Sequence, residues 1–476
     1  MHVKIPSAKA VQRLRAHVRN GERLPAEIDV ITDTRVLTRG QTYLALRGER
    51  FDGHAFIGDA LLGGASATIV ADAAAVPPDA PALIVEDTLA ALMELAALAR
   101  EGFAGTVIAI TGSAGKTTTK DFIAQLLEGA FPGRVHATPQ NENNEIGVSK
   151  VLLALEAHER FAVIEMGARH YRDIAPLVRI AQPHVAVLTN IGEAHLEIMG
   201  SRERLADTKW EIFSGKALPV LNIDDGTSMA RVRALERRPH FFGVRPRGAA
   251  LPLERSVRAV LAREDRSLEV LDDAVTSGAH RLGAVPAAIA GRHNVGNAAA
   301  AVAAVLAAGI VLEVVREQLA LLRLPHGRYE RITLPRFASL IYDAYNASPD
   351  GMLATLETFA LEPASRRIAV LGSMAELGEG AQRLHRTVGA AAAQASLDVV
   401  LIGGDHADDL EAGLRAQAFP AERIVHFDSN HAAAQWLAVH ARPDDVVLLK
   451  GARRYKLEEI VEELRASRDV NGGRHV

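Results

Sequence analysis

VIAITGSAGKTTTKDFIAQLL, from Val107 to Leu127, is the stretch on which the fold turns. Its opening residues are apolar or β-branched and read as a buried strand. The run breaks at Gly112-Ser113-Ala114-Gly115 and resumes with helical spacing from Lys116. A strand that turns through glycines into a helix presents backbone N–H groups at the helix N-terminus, where they cradle phosphate oxygens. In such a loop Lys116 reaches the terminal phosphates and Thr117 offers its hydroxyl to Mg²⁺, with Thr118 next on the first turn. The standard phosphate loop carries a further glycine where this chain has Ile110. The assignment therefore rests on the strand–turn–helix setting of Gly112 to Thr117.

Outward from this stretch the pattern repeats. FAVIEMG, VAVLTN and LPVLNID alternate with helical segments, as βαβ units around a buried parallel sheet require. The more polar segment from about Arg245 to Pro286 reads as an antiparallel extension. Before the loop, TYLALRG, SATIVAD and PALIVED are short strand-like runs between glycine-rich turns, followed by the helical DTLAALMELAALAR. From Gly327 onward SLIYDAYN, RRIAVLGS, LDVVLIGG, RIVHFDS and DVVLLKG repeat the βα rhythm, each apolar run ending in small or polar residues where open α/β sheets bind ligands. The final RDVNGGRHV reads as a frayed tail.

Composition narrows the function classes. A chain of 476 residues is too long for one ordinary core. Its net charge of −4 argues against a broad basic surface for nucleic acid. With no cysteine, thiol nucleophiles, disulfides and zinc–thiolate sites are excluded. The N-terminal MHVKIPSAKAVQRLRAH lacks an apolar signal core, and the longest apolar run, Ala298 to Leu312, is shorter than a membrane span and reads as a buried helix. A cytoplasmic protein is expected.

An ordered series of motifs then carries a resemblance. NENNEIGVSKVLLAL (Asn141 to Leu155), VIEMGARHYRDIAPL with Glu165, TNIGEAHLEIMGS with His195 and ADTKWEIF with Lys209 follow the phosphate loop. GRHNVGNAAAA with Asn294 and Asn297, HGRYE with Arg328, YDAYNASPDGM with Asp343, LGSMAELGE and LLKGARRYKLEE complete it. In this order they resemble the Mur ligase family over nearly the whole chain. The N-terminal ITDTRVLTRGQTYLALRGERFDGHAFIGDALLGGA resembles the substrate domain of the member that adds D-alanyl-D-alanine to the UDP-linked cell-wall peptide.

The resemblance implies three α/β domains: a UDP-substrate-binding domain (1–86), a central P-loop ATPase domain with a mostly parallel sheet (87–326) and a Rossmann-like C-terminal domain (327–476). It implies ATP, two Mg²⁺ ions, and a substrate carboxylate activated as an acyl phosphate for attack by an amine. Such phosphoryl transfer calls for charge neutralisation more than for covalent catalysis by the protein. Glu165 ends an apolar strand, and a carboxylate there holds hard Mg²⁺. His195, by its residue type alone a phosphate donor or a core histidine, becomes a second metal ligand by resemblance. Lys209, ordinarily read as a solvated lysine, is implied to be carbamylated, which converts a cation into an oxygen ligand. Asn294 is implied to contact adenine, with Asn297 on the same helix face; an N-cap is the plain alternative. Arg328 would clamp the γ-phosphate when the last domain closes, and Asp343 would meet ribose or the metal–phosphate cluster.

Substrate contacts are expected from Thr34 and Arg35, from Asn143 and Asn144 between the two nucleotides, and from Tyr345 and Asn346 toward the amine. The partners implied are small molecules, a UDP-linked peptide and a dipeptide amine, acting on a monomer. Several exchanges depart from the family pattern: Trp210, Ser149, Tyr342, Ser348 and Ala452, the last three where the amine donor is expected. They leave open a paralogue that ligates another amine in a different pathway. A P-loop ATPase or kinase with an appended binding domain is the reading from another class.

Overall fold

The computed structural model describes residues 3–48, 51–140, 142–192, 196–246, 258–273, 277–334 and 339–466. The strand Thr106–Thr111 enters the loop and the helix Lys116–Ala130 leaves it, as the sequence predicts. Val107 to Thr111 are buried because this strand lies inside a nine-stranded sheet with a core on each face. Ile108 and Ile110 enter one core with Phe122 and the helix Arg292–Ala307. Val107 and Ala109 enter the other with Ala96 and Leu177. The Ala-rich run Ala298 to Ala304 is buried, its small side chains letting that helix lie close on the sheet and on Lys116–Ala130.

Across this sheet the strands run Val135–Ala137, Phe161–Glu165, Thr106–Thr111, Val185–Leu188, Leu218–Asn222, His240–Val244, Ala259–Ala262, Ser267–Asp273 and Ser277–Ala284. The antiparallel extension is shorter than the sequence indicates. Ala259–Ala262 pairs parallel with His240–Val244, and only the last two pairings in the sheet are antiparallel. The physical reason is visible in Ala259–Ala262 itself: all four residues are buried, as in the other two-faced parallel strands.

The N-terminal domain holds a five-stranded sheet in the order His17–Arg19, Ala82–Ile84, Ala67–Val70, Thr42–Leu44, Val30–Ile31. The helix Thr88–Gly102, capped by Asp87 accepting from the Ala90 N–H at 2.9 Å, joins it to the central domain. Leu92, Leu95 and Ala99 enter the N-terminal core, while Met93, Ala96 and Ala97 enter the central one, so the helix belongs to both.

The C-terminal domain is Rossmann-like. Its sheet runs Glu330–Ile332, Ser339–Tyr342, Asp445–Lys450, Arg366–Gly372, Val399–Gly403, Ile424–His426, parallel except for the first, edge pair. No helix among the described residues is long and apolar enough to cross a membrane. The tail from Arg468 lies outside the described residues.

Candidate functional site

Ser113, Ala114, Gly115, Lys116, Thr117 and Thr118 line a cleft of about 1600 Å³ between the central and C-terminal domains. Gly115 stands at φ 80° ahead of the helix, and a Cβ there would fall 2.4 Å from Asn297 Oδ1. Gly112, at φ 151°, has Thr189 Oγ1 only 1.9 Å from the position of a Cβ. Both positions therefore need glycine. Ile110 does not: it is a strand residue paired with Glu165 and Val187, and the loop begins only after it.

Residues that the sequence reading missed hold the loop. The Ala114 N–H donates to Asn190 Oδ1 at 3.0 Å, the Ser113 N–H donates to the Asn190 carbonyl at 3.0 Å, and the Thr189 hydroxyl donates to the Ala114 carbonyl at 2.6 Å. Their signal was available: VAVLTN ends in two polar residues at the carboxyl edge of the sheet. Lys116 Nζ donates to the Gly112 carbonyl at 2.8 Å. Burial lowers its pKa; the Glu165 charge opposes this and that of Arg328 adds to it.

Glu165 ends its strand 1% exposed at the cleft wall. Oε1 accepts from Asn143 Nδ2 at 2.8 Å, and Oε2 has no hydrogen-bond partner. A buried carboxylate oxygen without a partner is costly, and a hard cation satisfies it. With the Thr117 hydroxyl on the same cleft, this donor set fits Mg²⁺. His195 lies outside the described residues, and no cluster of three or more His, Asp and Glu side chains among the described residues is placed to hold a metal.

Lys209 is not the solvated lysine of the plain reading. It is 1% exposed in the helix Arg202–Trp210. Burial, then the Lys116 charge, lowers its pKa to about 7, against the pull of Asp173 and Glu165. Trp210 packs edge-on against Phe213, which accommodates the bulky exchange.

The C-terminal domain reaches the phosphate loop through Arg328, whose guanidinium lies 3.5 Å from Thr117 Oγ1 and 4.6 Å from the Tyr345 ring centre. Asp343 lines the cleft, yet its oxygens are engaged within its own domain. Oδ1 accepts from the Tyr329 N–H at 3.2 Å, and Oδ2 accepts from the Thr355 hydroxyl at 2.5 Å and pairs with Lys450 at 3.0 Å. Lys450 was missed; it is 3% exposed and also donates to the Asn346 carbonyl at 3.0 Å. A charged residue closing the apolar strand DVVLLK is the same signal that marked Glu165. His293, also unforeseen, lines the cleft, and burial drives its pKa down to about 4. Ser348 caps the helix Pro349–Ala360, accepting from the Gly351 N–H at 3.3 Å, so this exchange keeps a capping residue in place.

Asn294 is no N-cap, because Gly291 occupies that position. Its Nδ2 donates to the Ala290 carbonyl at 2.9 Å, and Asn297 lies beside it at 3.4 Å with Oδ1 toward Thr119. Both asparagines line the cleft. Asn144 does cap a helix, Glu145–Leu153, accepting from the Gly147 N–H at 2.9 Å. Thr34 and Arg35 are not brought to this cleft. Arg35 is paired with Asp33 at 2.7 Å and its side chain is 86% exposed.

A phosphate loop at the edge of a parallel sheet, completed by an arginine from a Rossmann-like domain, defines a class of nucleotide-dependent enzymes whose catalytic site is shared between two domains. Residues 110–305 match the Mur ligase middle domain and residues 327–453 the Mur ligase glutamate ligase domain. The chain belongs to the Mur ligase family and is an ATP-dependent ligase. It is 35% identical over 437 residues to the UDP-N-acetylmuramoyl-tripeptide–D-alanyl-D-alanine ligase of Bacillus subtilis, covering 91% of this chain and 92% of that one. The structure of MurF from Acinetobacter baumannii superposes with a TM-score of 0.82 at 30% identity, covering 97% and 98% of the two chains. MurF from Thermotoga maritima in complex with ADP gives 0.77 at 30%, covering 92% and 98%.

Proposed function

We propose that this chain joins D-alanyl-D-alanine to UDP-MurNAc-tripeptide in peptidoglycan precursor synthesis, converting ATP to ADP and phosphate. Relatives that carry this activity in their names match more than nine-tenths of the chain. The observation that carries the chemistry is Glu165 Oε2, buried without a partner in the cleft that Lys116 also lines.

In this reading the three divisions 1–86, 87–326 and 327–476 bind the UDP-linked peptide, bind ATP, and close. Backbone N–H groups of Ser113 to Thr118 and Lys116 Nζ hold the β- and γ-phosphates, Lys116 exchanging the Gly112 carbonyl for a phosphate oxygen. Thr117 and Glu165, with His195 and Lys209, would hold Mg²⁺, which would supply neutralisation of phosphate charge. Lys209 serves as its carbamate; a buried amine whose pKa is lowered to about 7 is uncharged often enough to take up CO₂. Asn294 and Asn297 face adenine. Arg328 meets the γ-phosphate as an oxygen of the peptide carboxylate attacks phosphorus and ADP leaves. The dipeptide amine, between Tyr345 and Asn346, then attacks the acyl carbon and phosphate leaves. Closure keeps water from the acyl phosphate. Asp343 orients Lys450 and Tyr329 rather than binding ribose, since both its oxygens are engaged. The protein acts as a cytoplasmic monomer.

The test supplies Mg²⁺, ATP and UDP-MurNAc-tripeptide to the purified protein. Phosphate is expected only on addition of D-Ala-D-Ala, with the pentapeptide product seen by mass spectrometry. Ligation of another acid and amine instead would move the protein to another pathway, and amine-independent phosphate release would remove the ligase reading.

A further inference from the structure

The segment between the central and C-terminal domains is tied to the phosphate-loop helix at one point. Gln125 Nε2 donates to the Arg323 carbonyl at 2.9 Å, and the Arg323 N–H donates to Gln125 Oε1 at 2.8 Å. One side-chain amide thus pairs with both backbone groups of a single linker residue, as a neighbouring strand would. Before this point the chain is packed: Leu319 and Leu322 are buried in the central core. Beyond it, Leu324 is the residue whose side chain touches both the central core and the C-terminal core. Pro325 then forms a wall of a groove whose other side is Asp121, Ala124, Gln125 and Glu128 of the same helix, so the linker has left the helix surface there. Arg328 follows three residues later.

We propose that Gln125 is a positioning residue for closure: its clamp on Arg323 fixes the pivot of the C-terminal domain at Leu324 and so sets where Arg328 can reach. Five residues span at most about 17 Å, which limits the guanidinium's swing as long as Arg323 is held. Because the clamp sits on the helix that starts with Lys116, the pivot moves rigidly with the phosphate loop. Without it Arg323 is free to turn and the free linker lengthens by one residue, back to the buried Leu322, and the population with Arg328 at Thr117 falls. The role of closure in turnover rests on the ligase reading above, but the position of the pivot does not.

The test uses the absence of native cysteine. Spin labels on Lys216→Cys and Arg415→Cys, at exposed positions on the two domains, report the inter-domain distance in substrate-free protein. Gln125→Ala, a favourable exchange within a helix, is expected to broaden that distribution and lower kcat about tenfold, the scale of losing two ordinary hydrogen bonds from the competent state. The KM for ATP should stay within about twofold, since no nucleotide contact is removed. Gln125→Glu keeps the acceptor and loses the donor, and should fall between. A distribution and kcat matching the parent protein would overturn the proposal. So would a fall in kcat with an unchanged distribution, which would place the effect in the phosphate-loop helix. The distance measurement needs no substrate, so it stands or falls apart from the ligation assay.

Discussion

Lys116 and Lys209 lie close enough for their charges to act on each other, yet their surroundings give them opposite tasks. Lys116 is held by a loop carbonyl and can transfer to a phosphate oxygen at little reorganisation. Lys116→Ala is expected to lower ligation about 10²-fold or more, as for losing a charge contact made in the transition state. Its melting temperature should hardly move, and steady-state kinetics beside a thermal melt checks both. Lys209 is fully enclosed. Lys209→Ala should be nearly inactive and regain part of its activity with added short carboxylates, which replace an oxygen ligand. An uncarbamylated ammonium remote from Mg²⁺ in a crystal of the complex would exclude that role. Neither the burial nor the lowered pKa is legible in ADTKWEIF, where Lys209 reads as one charged residue among several.

At the scale of elements, strand ends set the site. Glu165, Thr189, Asn222 and Lys450, which all line the cleft, sit at carboxyl ends of parallel strands or one residue beyond. The strands themselves were readable, because runs buried on two faces have a distinct composition. The bracing of the loop by Thr189 and Asn190 was not, since it joins residues about 75 apart in sequence. Gly115→Ala tests how tightly the elements meet. Positive φ and the close approach of Asn297 should cost about 1–3 kcal/mol in stability, read by urea unfolding, and should weaken ATP binding in calorimetry. Asn144→Ala removes a helix cap on the other side of the cleft. A loss of about 1 kcal/mol is expected from the same unfolding experiment.

For the whole molecule, the decisive contact is Arg328 against Thr117, made by residues 211 apart. Arg328→Ala should lower kcat about 10²-fold while calorimetric ATP affinity changes only a few-fold, because the phosphate loop binds nucleotide without it. A mutant that loses ATP binding outright would make Arg328 part of a preformed nucleotide site. Asp343→Asn should behave differently: with Tyr329, Thr355 and Lys450 all directed at that carboxylate, it should lower the melting temperature as well as turnover.

The sequence by itself determined the strand–loop–helix from Thr106 to Ala130, the βα rhythm of the central and C-terminal domains, and the ligase family. Each is written in local periodicity or in the order of motifs, and neither needs a distant contact to be read. It also marked Glu165 and Arg328 as site residues. Tertiary structure alone decided that Lys209 is enclosed, that Glu165 keeps one oxygen unpartnered, and that Asp343 is occupied by Lys450. Those outcomes depend on which side chains from remote segments arrive within hydrogen-bonding distance. Burial and pairing are properties of that assembly, set by packing across domains and invisible in the spacing of any one motif.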